Sequence, residues 1–128
     1  MVGRLVRNPP PRIVVGTYTP TLTNSTNVAA STAFLCRYIR IGDQVTVYGQ
    51  VNIDPTAAAP TATTLRMSLP IASDLANAEE CSGVFSSNAS GQTGIVLGET
   101  TNNLASFLYS AENTSNAAFG FTFNYQVF

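Results

Sequence analysis

The sequence predicts an all-β fold, an antiparallel β-sandwich or jelly-roll-like domain with an extended N-terminal arm, and three observations carry that expectation. Residues 34–53 hold the longest period-2 pattern in the chain: Val45, Val47, Gly49, Val51 and Ile53 alternate with Thr46, Tyr48, Gln50 and Asn52, the signature of a strand with one face buried and one wet. Residues 119–128, FGFTFNYQVF, place Phe119, Phe121, Phe123, Tyr125 and Val127 on one face and Thr122, Asn124 and Gln126 on the other. Between these two stretches, short apolar runs recur at regular spacing with turn chemistry dividing them, the pattern of a sandwich or jelly roll.

Taken in order, residues 1–15 form the arm and residues 16–128 the β-domain. Residues 18–22 read as a strand, and Pro20 inside it demotes that strand to an edge. Residues 24–31 read as a polar loop. Leu35, Ile39 and Ile41 interleave with Cys36, Tyr38 and Arg40, so this run and the one after it form a hairpin through Gly42-Asp43-Gln44, where Gly42 can supply a positive φ. An Ala/Pro/Thr connection over 54–60 leads to a strand at 63–69 that Pro70 stops. Residues 74–80 are the helical candidate, at about two turns a marginal one. Strands at 81–85 and 93–97 flank a Ser/Asn/Gly loop, and strands at 104–109 and 119–128 close the chain.

Composition narrows the function. At 128 residues the chain suits one domain. Charged residues are 10% of it, with six Arg, no His, no Lys and no Trp, against roughly 25% charge in an average soluble protein. Few side chains can titrate near neutral pH or act as nucleophiles. No catalytic residue, cofactor or metal site is therefore expected, and Asp43, Asp54, Asp74, Glu79 and Glu80 read as solvated turn and cap residues rather than as a glycosidase pair. A surface of neutral Ser, Thr and Asn suits packing against copies or partners and does not suit nucleic acid. No apolar run approaches the roughly eighteen residues of a membrane span, and none resembles a secretory leader, so synthesis in a cytosol is expected. Cys36 and Cys81 are the only cysteines, and two readings stay open for them: buried thiols in a reducing compartment, or a disulfide formed outside the cell. Loops 86–94 and 110–117, rich in Ser, Asn and Gly, together with Tyr38, Tyr48 or Tyr109 as stacking faces, could recognise a glycan.

The arm, MVGRLVRNPPPRIVV, differs from the rest. Arg4, Arg7 and Arg12 lie in its first twelve residues without an acid among them, and Pro9, Pro10 and Pro11 impose a polyproline II rod. At about 3 Å per residue it can reach on the order of 45 Å, well past a domain radius of roughly 14 Å. Two readings compete for it: an edge strand of its own domain formed by residues 12–15, or an anchor. As an anchor, Leu5, Val6, Ile13 and Val14 would serve as apolar plugs and Arg4, Arg7 and Arg12 as pairing groups, with the Pro9, Pro10 and Pro11 rod also part of the partner-binding segment.

A resemblance sharpens these expectations. The run from Tyr38 through Gly49, YIRIGDQVTVYG, resembles a signature of small β-domains in tailed-bacteriophage structural proteins, found in tail fibres and particle-surface proteins. GTYTPTL at 16–22 is similar to the opening of such domains, and Ser68-Leu69-Pro70 to their middle. The resemblance implies a virion protein: a homotrimeric decoration, or cement, protein on the capsid surface, bound through its arm to the major capsid protein of the same particle. The alternative it implies is a tail-fibre or spike tip that binds a host surface glycan.

Overall fold

The computed structural model describes residues 12–57, 60–87 and 91–128. Its ten strands are β1 (Ile13–Tyr18), β2 (Leu22–Thr26), β3 (Val28–Ala33), β4 (Cys36–Ile41), β5 (Gln44–Pro55), β6 (Thr61–Met67), β7 (Cys81–Ser87), β8 (Thr93–Glu99), β9 (Leu104–Ala111) and β10 (Ala117–Gln126). The expected register of β5 is observed, with Val45, Val47, Val51 and Ile53 fully buried, and so is that of β10, where Phe119, Phe121, Phe123 and Tyr125 face inward. β4 and β5 form the expected hairpin around Gly42, whose φ is +59°.

All strand pairings are antiparallel, and they form one hydrogen-bonded path in the order β1-β4-β5-β10-β7-β8-β9-β6-β2, with β3 paired to β5. The fold is thus a single curled sheet, a half-barrel, where the sequence had suggested a sandwich of two sheets. β2 and β3 meet at a bend at Asn27, a residue at φ +57°. β2 pairs with β6 and β3 with β5, so this bent segment spans opposite parts of the sheet. Asn27 holds the corner: its Nδ2 donates to the Ala57 carbonyl and to Thr63 Oγ1, each at 2.8 Å, and its Oδ1 accepts the Ala57 N–H at 2.8 Å.

Several expectations are corrected. Residues 24–31 are strand, not loop: they pair through main chain and leave their Ser, Thr and Asn side chains at the surface, so hydrophobic alternation never develops. The strand expected at 18–22 is broken, β1 ending at Tyr18 and β2 starting at Leu22, because buried Pro20 cannot donate to a ladder. The helix expected over 74–80 is only a 3₁₀ turn, Ala78–Glu80, whose Glu80 carboxylate accepts the N–H groups of Ala76 (2.6 Å) and Asn77 (3.1 Å).

The inner face explains the curl. Three of the large rings there lie opposite a glycine on the next strand: Phe121 opposite Gly49, Phe123 opposite Gly83, and Phe85 opposite Gly94. A Cβ on Gly49 would sit 2.6 Å from Cys36 Sγ, and one on Gly83 would lie 2.5 Å from Phe123 Cβ and still closer to the Thr122 carbonyl. Strands therefore approach more closely on the inside than any side chain allows, and the rings fill the space the glycines leave. Phe85, Phe107, Tyr109, Phe119, Phe121 and Phe123 meet mostly edge-on or tilted, with centroids 5.0–6.1 Å apart, and Phe121 stacks on Phe123 at 5.8 Å, geometries that ring quadrupoles favour.

Candidate functional site

With the inner face filled by rings, functional chemistry falls on the outer face, the free sheet edge and the loop-bearing ends. Of the arm residues expected to bind a partner, Arg4, Leu5, Val6, Arg7, Pro9, Pro10 and Pro11 lie outside the described residues. Arg12 is exposed, and its carbonyl accepts the Gly42 N–H at 2.9 Å, which fixes the start of β1 beside the β4–β5 turn. Ile13 begins β1, so residues 13–15 run as an edge strand. There Ile13 and Val15 are 63% and 72% exposed, beside Ile41 at 50%. They make an aliphatic patch on a strand whose outer edge carries no pairing partner among the described residues.

Across the outer face, register aligns Arg37, Tyr48, Thr122, Val84, Ile95, Leu108 and Thr64 in one transverse row from β4 to β6. Tyr48, Val84 and Ile95 stand out of it at 44%, 59% and 50% exposure. Around them the outward positions Gln44, Thr46, Gln50, Asn52, Thr122, Asn124, Gln126, Ser82, Ser86 and Thr93 are neutral, and the acids on this face, Asp54 and Glu99, stand at the ends of β5 and β8. Cross-strand bonds such as Thr46 Oγ1 to Asn124 Oδ1 (2.5 Å) hold several of these side chains in place.

The interior thiols and phenols have no outlet. Cys36 and Cys81 are both free and buried. Burial pushes the Cys81 thiol up to about 12 and raises Cys36 as well, opposite to what a nucleophile needs. Burial also raises Tyr18, with the neighbouring Cys36, Tyr125 and Cys81 adding to it, so these four groups share one region of the interior. Of the tyrosines offered as stacking faces, only Tyr48 is exposed: Tyr38 packs edge-on against Tyr18 at 6.2 Å, and Tyr109 is buried with its hydroxyl unpartnered. Among the described residues, no group of three His, Cys, Asp or Glu is placed to hold a metal.

A cleft of about 440 Å³ opens at the end of the sheet where the β4–β5 turn lies, between the segment after β6, the β8–β9 turn and the final residue. Its floor is rigid. The Tyr125 hydroxyl donates to the Ile71 carbonyl (2.8 Å) and accepts the Ile71 N–H (3.0 Å), while Ser73 Oγ donates to the Gln126 carbonyl (2.6 Å) and accepts the Phe128 N–H (3.1 Å). Asn103, at φ +58°, accepts the Leu75 N–H on its Oδ1 at 2.8 Å and so ties the β8–β9 turn to the opposite wall. Sequence reasoning missed this cleft, since it had read Asp74 as a solvated cap and had placed glycan recognition on loops 86–94 and 110–117. Those loops lie at the other end of the sheet, and residues 88–90 are outside the described ones. Comparison of the chain with protein-family models, with curated proteins and with solved structures found no match.

Proposed function

We propose that this chain is a structural protein of a tailed-bacteriophage particle: a decoration, or cement, protein that sits on the head shell as a homotrimer and is tied to the major capsid protein through its N-terminal segment. The observation that carries this reading is the outer face of β5, β10, β7 and β8, neutral at the positions named above and crossed by the exposed Tyr48, Val84 and Ile95. A face whose centre is uncharged and carries an apolar ridge is suited to lie against another protein surface, where a charged centre would have to be desolvated. The exposed aliphatic base of the arm adds a second contact on the same molecule. A curled sheet whose two flanks close over one aromatic core is also compatible with the jelly-roll-like reading of the sequence.

The test is the copy number of the chain in purified particles, from mass-spectrometric ratios to the most abundant shell protein. One copy per shell subunit, or a simple fraction of it, is the expected result. A few copies per particle would move the chain to a fibre or spike, and absence from the particle would overturn the proposal.

A further inference from the structure

The cleft that ends in Phe128 has the donor set of a carbohydrate site. The Asp74 carboxylate makes no hydrogen bond or ion pair among the described residues, and neither does the side-chain amide of Asn102, while Nδ2 of Asn103 is left free because only its Oδ1 is engaged by Leu75. One side thus offers two carboxylate oxygens as acceptors and amide N–H groups as donors. Leu104 and the ring of Phe128, 57% exposed, form the apolar counterpart. No Arg lines the cleft, so anionic ligands meet only a negative charge there.

We propose that this cleft binds a neutral pyranoside, the Asp74 carboxylate accepting from vicinal hydroxyls, the Asn102 and Asn103 amides donating to them, and the Phe128 ring lying against the C–H face of the sugar. Each preference follows from the chemistry of the lining residues. A polyol presents adjacent donors and acceptors that a carboxylate and an amide satisfy together, and its axial C–H groups make it apolar on one face. The volume lies within the range of small-ligand sites, roughly 300–1,000 Å³. The site is pre-formed, because Ser73, Asn103 and Tyr125 hold its walls before any ligand arrives. This limits the ordering cost of binding. The inference stands apart from the decoration role, since it rests on the cleft alone and not on the N-terminal segment or the outer face.

The test uses the full chain and saturation-transfer NMR with methyl glucopyranoside, methyl galactopyranoside and methyl mannopyranoside as probes, and glucuronate as the anionic control. The expected dissociation constant is on the order of 1 mM for at least one probe, the value that about a dozen non-hydrogen atoms support at ordinary ligand efficiency. Asp74→Asn and Phe128→Ala change exposed residues, so both variants should fold as the parent does, which circular dichroism checks. Each should weaken binding by about tenfold or more, Asp74→Asn through the lost charge-assisted bonds and Phe128→Ala through the lost ring. Absence of transfer to all three probes at about 20 mM, well above the expected constant, would overturn the proposal. So would binding that both variants leave unchanged, or stronger binding of glucuronate.

Discussion

Replacing Gly83 by alanine tests whether glycine–aromatic pairing shapes the sheet. The new methyl would point into the core, 2.5 Å from Phe123 Cβ, 2.6 Å from Phe123 Cα and closer still to the Thr122 carbonyl. Two of these three atoms are main chain of β10, the strand that holds most of the buried rings, so no side-chain rotation relieves the contact. Overpacking costs typically 1–3 kcal/mol when side chains can adjust, and a backbone obstacle places Gly83→Ala at or above the upper end, about 3 kcal/mol. For a domain of this size that corresponds to a fall in Tm of about 10 °C. Gly120→Ala, one strand over and on the outer face, is the control. A Cβ there meets nothing within 4 Å, and alanine should stabilise the strand by roughly 0.5 kcal/mol or leave it unchanged. Thermal and urea unfolding of both variants, followed by circular dichroism, separates the cases. Equal melting of Gly83→Ala and the parent would refute the close-approach argument.

Other perturbations follow from the same structure. Val47→Asp places a carboxylate at a position with no solvent exposure and should prevent folding; a soluble variant with unchanged melting would put the β5 register out by one. Asn27→Ala removes three side-chain hydrogen bonds and puts a β-carbon at a positive φ, for an expected loss of about 2–3 kcal/mol in a urea titration. Deleting residues 1–11 should leave melting unchanged, because β1 starts at Ile13, and should abolish binding to the shell in a co-sedimentation assay; retention of full binding would refute the anchor. Alkali should unfold the protein. Burial raises Cys81, Tyr109 and Tyr125 each to about 12 in the folded state, so the folded chain keeps protons that the unfolded chain releases. Stability is complete below the unfolded thiol value of roughly 8.5 and falls as pH rises from there, through the phenol value near 10, toward 12. A melting temperature that stayed constant from pH 8 to about 11 would contradict that linkage.

What the sequence made legible was whatever packs against the core by alternation. β5 and β10 were readable residue by residue because one face is aliphatic or aromatic and the other neutral polar. β2 and β3 were not, since LTNST and VAASTA pair through main chain at the rim and bury little. The single curled sheet was equally hidden, because closure depends on Asn27 reaching Ala57 and Thr63, thirty or more positions away. The cleft illustrates the same limit. Asp74, Asn102 and Phe128 come from three separate segments, each of them an ordinary polar turn or chain end by itself, and only the Asn103–Leu75 and Ser73–Phe128 bonds bring them together.

The curl also decides where such a chain can do chemistry. Rings opposite glycines draw the strands together until Phe107, Phe119 and Phe123 have no exposure, so the half-barrel is a packed core and offers a ligand no interior. The low charge of the chain then acts outward. With Asp54 and Glu99 confined to the ends of β5 and β8, the middle of the sheet face can meet a partner without stranding an ion. The unpaired carboxylate at the sheet end becomes the polar group best placed for a directional bond to a small neutral ligand. The two proposed roles, adhesion by the face and recognition at the end, therefore rest on separate residues, and Tyr48→Ala should weaken assembly on the shell without changing saccharide transfer, while Asp74→Asn should do the reverse. Loss of both properties in either variant would mean that the face and the cleft belong to one surface.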